Sequence, residues 1–302
     1  MKLIKPYFEI WEQPAGLEGV YKQIERVGRV CYKSEDKITE DSAKPFVDRM
    51  IKSGHGAMLE HGTVYLFCPT EEYVDSNGDV QYYNPLEKYQ NNNYSALVDS
   101  NKGIYVTTNL RVLVENGWMG DLQYLCEPTE FHEKRITVHF VCDRGVSHEF
   151  VRHRVMSFAQ ESTRYCNYSK DKFDNQVTFV IPSWCNSLIE GSEQKYFTFE
   201  INRDEVVFMD ALQNAQNSYL SLLKLGWKPQ EARDVLPLGI KSELISCGFE
   251  DAWENFIRRR SPKYGDPGAH PMAAEIANKL GEEFIKKGYI DETKISCRRH
   301  PC

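Results

Sequence analysis

No two cysteines stand at C-x-x-C spacing. The nine thiols, at positions 31, 68, 126, 142, 166, 185, 247, 297 and 302, are scattered singly and odd in number. That excludes a disulfide framework or a zinc ribbon and points to reduced thiols. Long apolar runs are also missing. None reaches the roughly 18 residues a membrane helix needs, and the opening MKLIKPYFEIWEQP has neither a signal-peptide apolar core nor a small-residue cleavage pattern. A cytoplasmic protein without a membrane partner is expected. Positive charge is in deficit, with 37 Lys and Arg against 44 Asp and Glu and a net charge of −7, so a broad basic face for nucleic acid is not expected. Any anion site must be local. No strand leads into G-x-G-x-x-G or G-x-x-x-x-G-K-[ST], which removes the Rossmann and Walker phosphate loops, and no serine sits in a G-x-S-x-G elbow. Repeats and low-complexity blocks are absent.

What is present is ordinary globular composition: 302 residues, 41% hydrophobic and 27% charged, long enough for a substantial core. Leu17, Val20, Ile24, Val27 and Val30 recur at helical spacing, as do Phe46, Val47, Met50 and Ile51 before Gly54. TVYLFC (63–68), RITVHFVC (135–142) and VTFVIP (177–182) read as strands. Phe208, Leu212, Ala215, Tyr219 and Leu222 mark a long helix ended by Gly226, and Pro229 suits the start of PQEARDVL. Further helices are expected at FEDAWENFIRRR and from Pro271 to Gly288. Helices at both ends with strands between them favour an α+β fold, a central and largely antiparallel sheet packed with long helices. One domain over 1–302 is expected, with an insertion at about 69–134 whose first, Asn- and Tyr-rich part is exposed.

The cation-rich stretch VRHRVMSFAQESTRYC (151–166) stands out in an acidic chain. Segment 144–155 is expected to be a helix with Glu149, Arg152 and His153 on one face, ending in Arg152, His153 and Arg154 and running into a hydroxyl-rich loop. Forked guanidinium groups suit phosphate, and small hydroxyl and amide groups suit a base edge. A single surface arginine is more often paired with a nearby acid; three with a histidine beside such a loop resemble a nucleotide cradle. HEFVRH is H-E-x-x-x-H, and a five-residue step turns about 140° past a full circle, so His148 and His153 cannot share a metal. The tail CRRHPC holds Cys297, His300 and Cys302 without a fourth ligand, and no metal is expected there.

Arg152-His153-Arg154, seven residues and then Ser162, followed by Arg164-Tyr165, resembles the R-H-R-x7-S signature of the flavin-dependent thymidylate synthases. Three further segments fall in that family's order: SGHGAMLEH (53–61), EARDVLPL (231–238) and WENFIRRR (253–260). The similarity spans about residues 20 to 285.

The resemblance implies an enzyme that methylates dUMP to dTMP, with methylenetetrahydrofolate as carbon donor and a tightly bound FAD reduced by NADPH. It also implies a homotetramer with active sites where subunits meet. FAD would be held by His55, Ala57, Arg152, His153, Arg154, Gln160 and Asn255. dUMP would be held by Glu149, Arg152, Gln160, Glu161, Ser162, Thr163, Arg164, Arg233 and Arg260. Arg260 and Ser162 are the expected catalytic groups: Arg260 polarises the uracil edge, and Ser162 acts as ligand and polariser rather than as nucleophile. Asn255 and Arg260 are five residues apart on a helix, which predicts that they address different ligands or subunits.

Three positions depart from the family pattern. Glu149 stands where Gln is frequent, Ala57 where a hydroxyl is frequent, and Phe249-Glu250-Asp251 where some relatives carry Asn-Ala-Arg. Glu60 and His61 are expected to be structural. The cysteine-dependent thymidylate synthases need a P-C-Q-like context that is missing, and Cys166 reads as a buried, inert thiol. A flavin- or nucleotide-binding regulatory protein without catalysis is the alternative, although such a protein should have lost signature residues. An RNA-binding module is disfavoured by the acidic balance.

Overall fold

The computed structural model describes residues 1–188, 190–191 and 202–296; Cys297, His300 and Cys302 lie outside them. In chain order the elements are β1 (Lys2–Ile4), β2 (Tyr7–Trp11), α1 (Gly16–Tyr32), α2 (Ala43–Lys52), α3 (Gly56–Leu59), β3 (Thr63–Cys68), β4 (Glu71–Val74), β5 (Val80–Tyr83), β6 (Ala96–Ser100), β7 (Gly103–Asn109), α4 (Leu110–Asn116), β8 (Arg135–Asp143), α5 (Arg144–Phe150), β9 (Ser157–Gln160), β10 (Thr178–Val180), α6 (Arg203–Lys224), α7 (Pro229–Ala232), β11 (Lys241–Phe249), α8 (Glu250–Arg260), α9 (Pro271–Lys286) and α10 (Glu292–Ser296). Helices and antiparallel sheets are mixed, as the sequence predicts. No helix among the described residues is long and apolar enough to cross a membrane.

The central sheet runs β2-β8-β11-β9, every pair antiparallel. Side chains alternate between its faces. Ile136, Val138, Phe140 and Cys142 of β8 join Leu244 of β11 in one apolar core with Trp253, Phe256, Ala273, Leu280 and Phe284 of α8 and α9. Trp253 is fully buried, and its indole N–H donates to the Ile136 carbonyl at 3.0 Å. That bond anchors α8 across the sheet. On the other face, where Ile245 pairs with both His139 and Ala159, α1 packs Val27, Val30 and Cys31 against Trp11, Ala159 and Ile245. A parallel pair, β1 with β10, packs Leu3 and Phe179 against Met209, Leu212 and Tyr219 of α6.

Two expectations are corrected here. The helix read over 144–155 stops at Phe150, because the chain turns: His153 N–H donates to the Phe150 carbonyl and Met156 N–H to the His153 carbonyl. Within the segment beyond the turn, Ser157–Gln160 form β9, edge strand of the central sheet, and the residues from Glu161 to Tyr165 follow as loop and turn. In the Asn- and Tyr-rich first part of the 69–134 segment both strands of the β4–β5 hairpin are exposed, but Asn84, Leu86 and Tyr89 are buried. β7 is buried throughout and pairs with β3 and β6, and Leu86, Tyr89, Ile104, Val106 and Leu113 share a core with Val20, Ile24 and Phe46.

Removing the Trp253 side chain empties the junction between sheet and helices and orphans the Ile136 carbonyl. Trp253→Ala should therefore lose roughly 3–5 kcal/mol, read as a lowered denaturant midpoint at unchanged slope.

Candidate active site

The turn after α5 meets the end of α8. Asp143 caps α5, accepting from the Val146 N–H at 2.8 Å, and places Glu149 in its last turn. The turn beyond carries Arg152, His153 and Arg154, and α8 brings Asn255, Arg259 and Arg260. Together with Val155 and Asp266, the last six line a cavity of about 520 Å³. Asn255 and Arg260, five residues apart on α8, thus both line one cavity. α8 ends here, Gly265 passes so close that a Cβ on it would lie 2.0 Å from the Arg258 carbonyl oxygen, and the chain folds both residues into one wall.

Arg260 is held on three sides. Its Nε–H donates to His153 Nε2 at 3.2 Å, Nη1 to Glu149 Oε2 at 2.6 Å and Nη2 to the Glu149 carbonyl at 2.7 Å. Accepting at Nε2 leaves the His153 proton on Nδ1. Burial, then the charges of Arg260 and Arg259, push the His153 pKa down to about 4, so the ring is neutral near pH 7. Arg258 donates to Asn255 Oδ1 at 3.3 Å, leaving the Asn255 amide N–H groups free to donate. Arg152 and Arg154 are exposed, and neither they nor Arg259 has a carboxylate partner among the described residues.

The remaining predicted residues lie elsewhere. Gln160, at the end of β9, donates to the hydroxyls of Ser147 and Ser242 at 2.6 and 2.9 Å. Ser162 N–H donates to the Cys31 carbonyl at 2.9 Å, tying the signature to the end of α1, and no side chain among the described residues bonds its hydroxyl. Thr163 is buried and accepts from Arg233 at 3.0 Å. Arg164 is exposed with its guanidinium over the Tyr165 ring. His55 and Ala57 are exposed at the start of α3. None of these lines the arginine cavity of this chain. Glu60 pairs with Arg111, and His61 is fully buried with its pKa pushed down to about 3 by burial and by Arg135. Burial, with Glu161 adding to it, raises the Cys166 thiol to about 12, an inert thiol.

Sequence reasoning missed a charged network beneath the signature. Lys241 contacts Glu161 at 2.8 Å and Glu243 at 2.5 Å; Glu243 also meets Lys33 at 2.8 Å and His139 at 3.0 Å. Burial alone would raise the Glu243 carboxyl, but the His139 hydrogen bond and the charges of Lys241 and Lys33 outweigh it and hold the pKa well below the ordinary value. The only signal in the sequence was K-S-E at 241–243, charges two apart at the start of an unrecognised strand.

Residues 122–287 match the family described as Thymidylate synthase complementing protein. A flavin-dependent thymidylate synthase of Corynebacterium diphtheriae is 30% identical over 146 residues, 46% of this chain and 54% of that one. A second, from Corynebacterium aurimucosum, is 22% identical over 280 residues, 90% of this chain and 80% of that one. Among solved structures, the UMP/dUMP methylase PolB from Streptomyces cacaoi bound with 5-Br dUMP is 17% identical, covering 95% of this chain and 93% of that one with a TM-score of 0.43.

A carboxylate whose folded pKa lies below its ordinary 4.5 stabilises the fold fully above that pH and loses its contribution as the pH falls through the folded value. Glu243→Gln should cost roughly 3 kcal/mol near neutrality. The gap between wild type and variant should shrink steadily below pH 4.5; denaturant melts showing the same gap at neutral and acid pH would remove the ionised Glu243 from this role.

Proposed function

The chain belongs to the Thymidylate synthase complementing protein family, whose match covers more than half of its 302 residues, and on that premise we propose that it is a flavin-dependent methyltransferase converting dUMP to dTMP. In this reading methylenetetrahydrofolate supplies the carbon and NADPH the reducing equivalents. The observation that carries it is the convergence of Arg152, Arg154 and Arg259, without carboxylate partners among the described residues, around Asn255 and Arg260 in one cavity. Guanidinium forks and an amide suit a ligand that bears both phosphate and a polar ring edge.

These donors fit FAD as well as dUMP, so Arg152, His153, Arg154 and Asn255 would hold the cofactor, with His55, Ala57 and Gln160 contributing from the rest of the assembly. The flavin supplies hydride chemistry when bound. What the chain itself supplies is electrostatic. A neutral His153 leaves the cationic charge on the arginines, and Arg260 stabilises the negative charge that builds on the pyrimidine ring through charge-assisted hydrogen bonds. Ser162, with no base beside its hydroxyl among the described residues, serves as ligand and polariser. Glu161, Ser162, Thr163, Arg164 and Arg233 would complete the dUMP site. Because Arg164, Arg233 and His55 stand away from this chain's cavity, the reading requires neighbouring copies to bring them together, in a homotetramer with its sites between subunits. We place the enzyme in the cytoplasm as one catalytic domain, with the 69–134 segment an addition to it.

Purified protein should be yellow, and its flavin absorbance should bleach under NADPH without oxygen. Arg260→Ala should keep the flavin but lose roughly 2–5 kcal/mol of dUMP binding or transition-state stabilisation, measured by titration and turnover. Protein that stays colourless after incubation with FAD would overturn the reading in favour of a regulatory binder, and normal turnover in the variant would move the role to Arg259.

A further inference from the structure

We infer that Glu149 acts as a positioning residue for Arg260, fixing the plane of its guanidinium at the cavity wall. The inference deepens the reading above and rests on it for the identity of the ligand, but the tether itself is a property of the free protein.

A guanidinium carries five N–H groups. In Arg260 one is taken by His153, one by the Glu149 carboxylate and one by the Glu149 main-chain carbonyl. One N–H on each of Nη1 and Nη2 has no acceptor among the described residues. Donors held in a fixed plane at the wall of the cavity suit a charged acceptor, whether an oxygen or deprotonated nitrogen of a pyrimidine or a phosphate oxygen.

The contact differs from an ordinary surface ion pair. The Arg260 and Glu149 side chains are 18% and 31% exposed, and three acceptors on two separate residues hold one side chain. Long exposed pairs hold one another loosely and are worth little; three-point attachment leaves a planar group no free rotation, so the ordering cost of a flexible arginine is met on folding rather than on binding. The carboxylate does this better than an amide because its bond to Nη1 is charge-assisted. Glu149 also lowers the net positive charge at Arg260, so that residue contributes direction while Arg152, Arg154 and Arg259 attract the anion.

Two measurements on the full chain test this. In ligand-free protein, the Arg260 Nη1–H bonded to the Glu149 carboxylate should give a resolved, slowly exchanging NMR signal that is lost in Glu149→Ala, where the His153 and main-chain acceptors remain; Nη–H signals as averaged as those of a free arginine in wild type overturn the tether whatever the protein binds. In FAD-loaded protein, Glu149→Ala should lose dUMP affinity or turnover on the order of 100-fold at unchanged melting temperature and flavin content, and Glu149→Gln, which restores an acceptor oxygen, should recover most of it. Because the residue acts through Arg260, Glu149→Ala combined with Arg260→Ala should be no worse than Arg260→Ala alone. Additive losses, or equal losses in the Ala and Gln variants, overturn the inference. A slowly exchanging Arg260 signal with no dUMP binding in wild type supports the tether and fails the proposed function instead.

Discussion

Lys241, clamped between Glu161 and Glu243, is the constraint on which the arrangement of the signature depends. A buried ammonium is costly unless paired, and so is each carboxylate beside it. The pairs therefore stand or fall together, and they join four parts of the chain: β11 through Lys241 and Glu243, β8 through His139, the end of α1 through Lys33, and the signature through Glu161. Tyr168 Oη donates to the other Glu161 oxygen at 3.4 Å. Once Glu161 is fixed, Ser162 has little choice but to place its N–H on the Cys31 carbonyl. The strand pairing of β9 with β11 sends Gln160 to the opposite face, against Ser147 and Ser242. A two-residue alternation thus divides the signature between the two sides of one sheet.

The opposite face packs the apolar core beneath the arginine cavity. There Trp253, Phe256 and Ile257 bury one stripe of α8, which leaves Asn255, Arg259 and Arg260 on the remainder. His153 packs on Phe256 with ring centroids 4.9 Å apart, so the arginine-rich turn is seated on the same core that seats α8. Packing and chemistry are coupled through that single aromatic contact, since Phe256 is both core residue and platform.

The long helices were legible in the sequence because their apolar residues recur every three or four positions: Val20, Ile24 and Val27 in α1, Met272, Ile276, Leu280 and Phe284 in α9. β8 was legible because its six consecutive residues from Ile136 to Val141 are β-branched or aromatic. β11, the strand at the centre of everything, was not. On one face it presents Lys241, Glu243, Ile245 and Cys247, on the other Ser242, Leu244, Ser246 and Gly248, so neither face reads as apolar and the period-two signal vanishes. Its polar positions are buried because they are satisfied by partners distant in sequence, which local pattern cannot register. The R-H-R-x7-S spacing and the α8 residues were recognisable as chemistry. That Glu149 faces Arg260 was not, since 111 residues separate them, and the helix end at Phe150 was masked by Val151, which continues the apolar spacing of Val146 and Phe150.

The electrostatics of the cavity come from four arginines set against two acids, Asp266 in its lining and Glu149 on Arg260, in a chain of net charge −7. Long-range attraction toward an anion must come from the arginines that have no carboxylate partner among the described residues, and at physiological salt it fades over about 8 Å. Arg260 cannot contribute much to that attraction while Glu149 lies 2.6 Å from it. In the proposed reading its value is instead geometric: planar donors that need not reorganise when charge develops on a bound ring, which is where preorganised dipoles act most strongly. A lysine at 260 could carry the same charge but not the same plane, and an unpartnered arginine would have the plane without the fixed direction. The acid beside the key cation therefore gives up some attraction for orientation, and the neighbouring guanidinium groups restore the attraction.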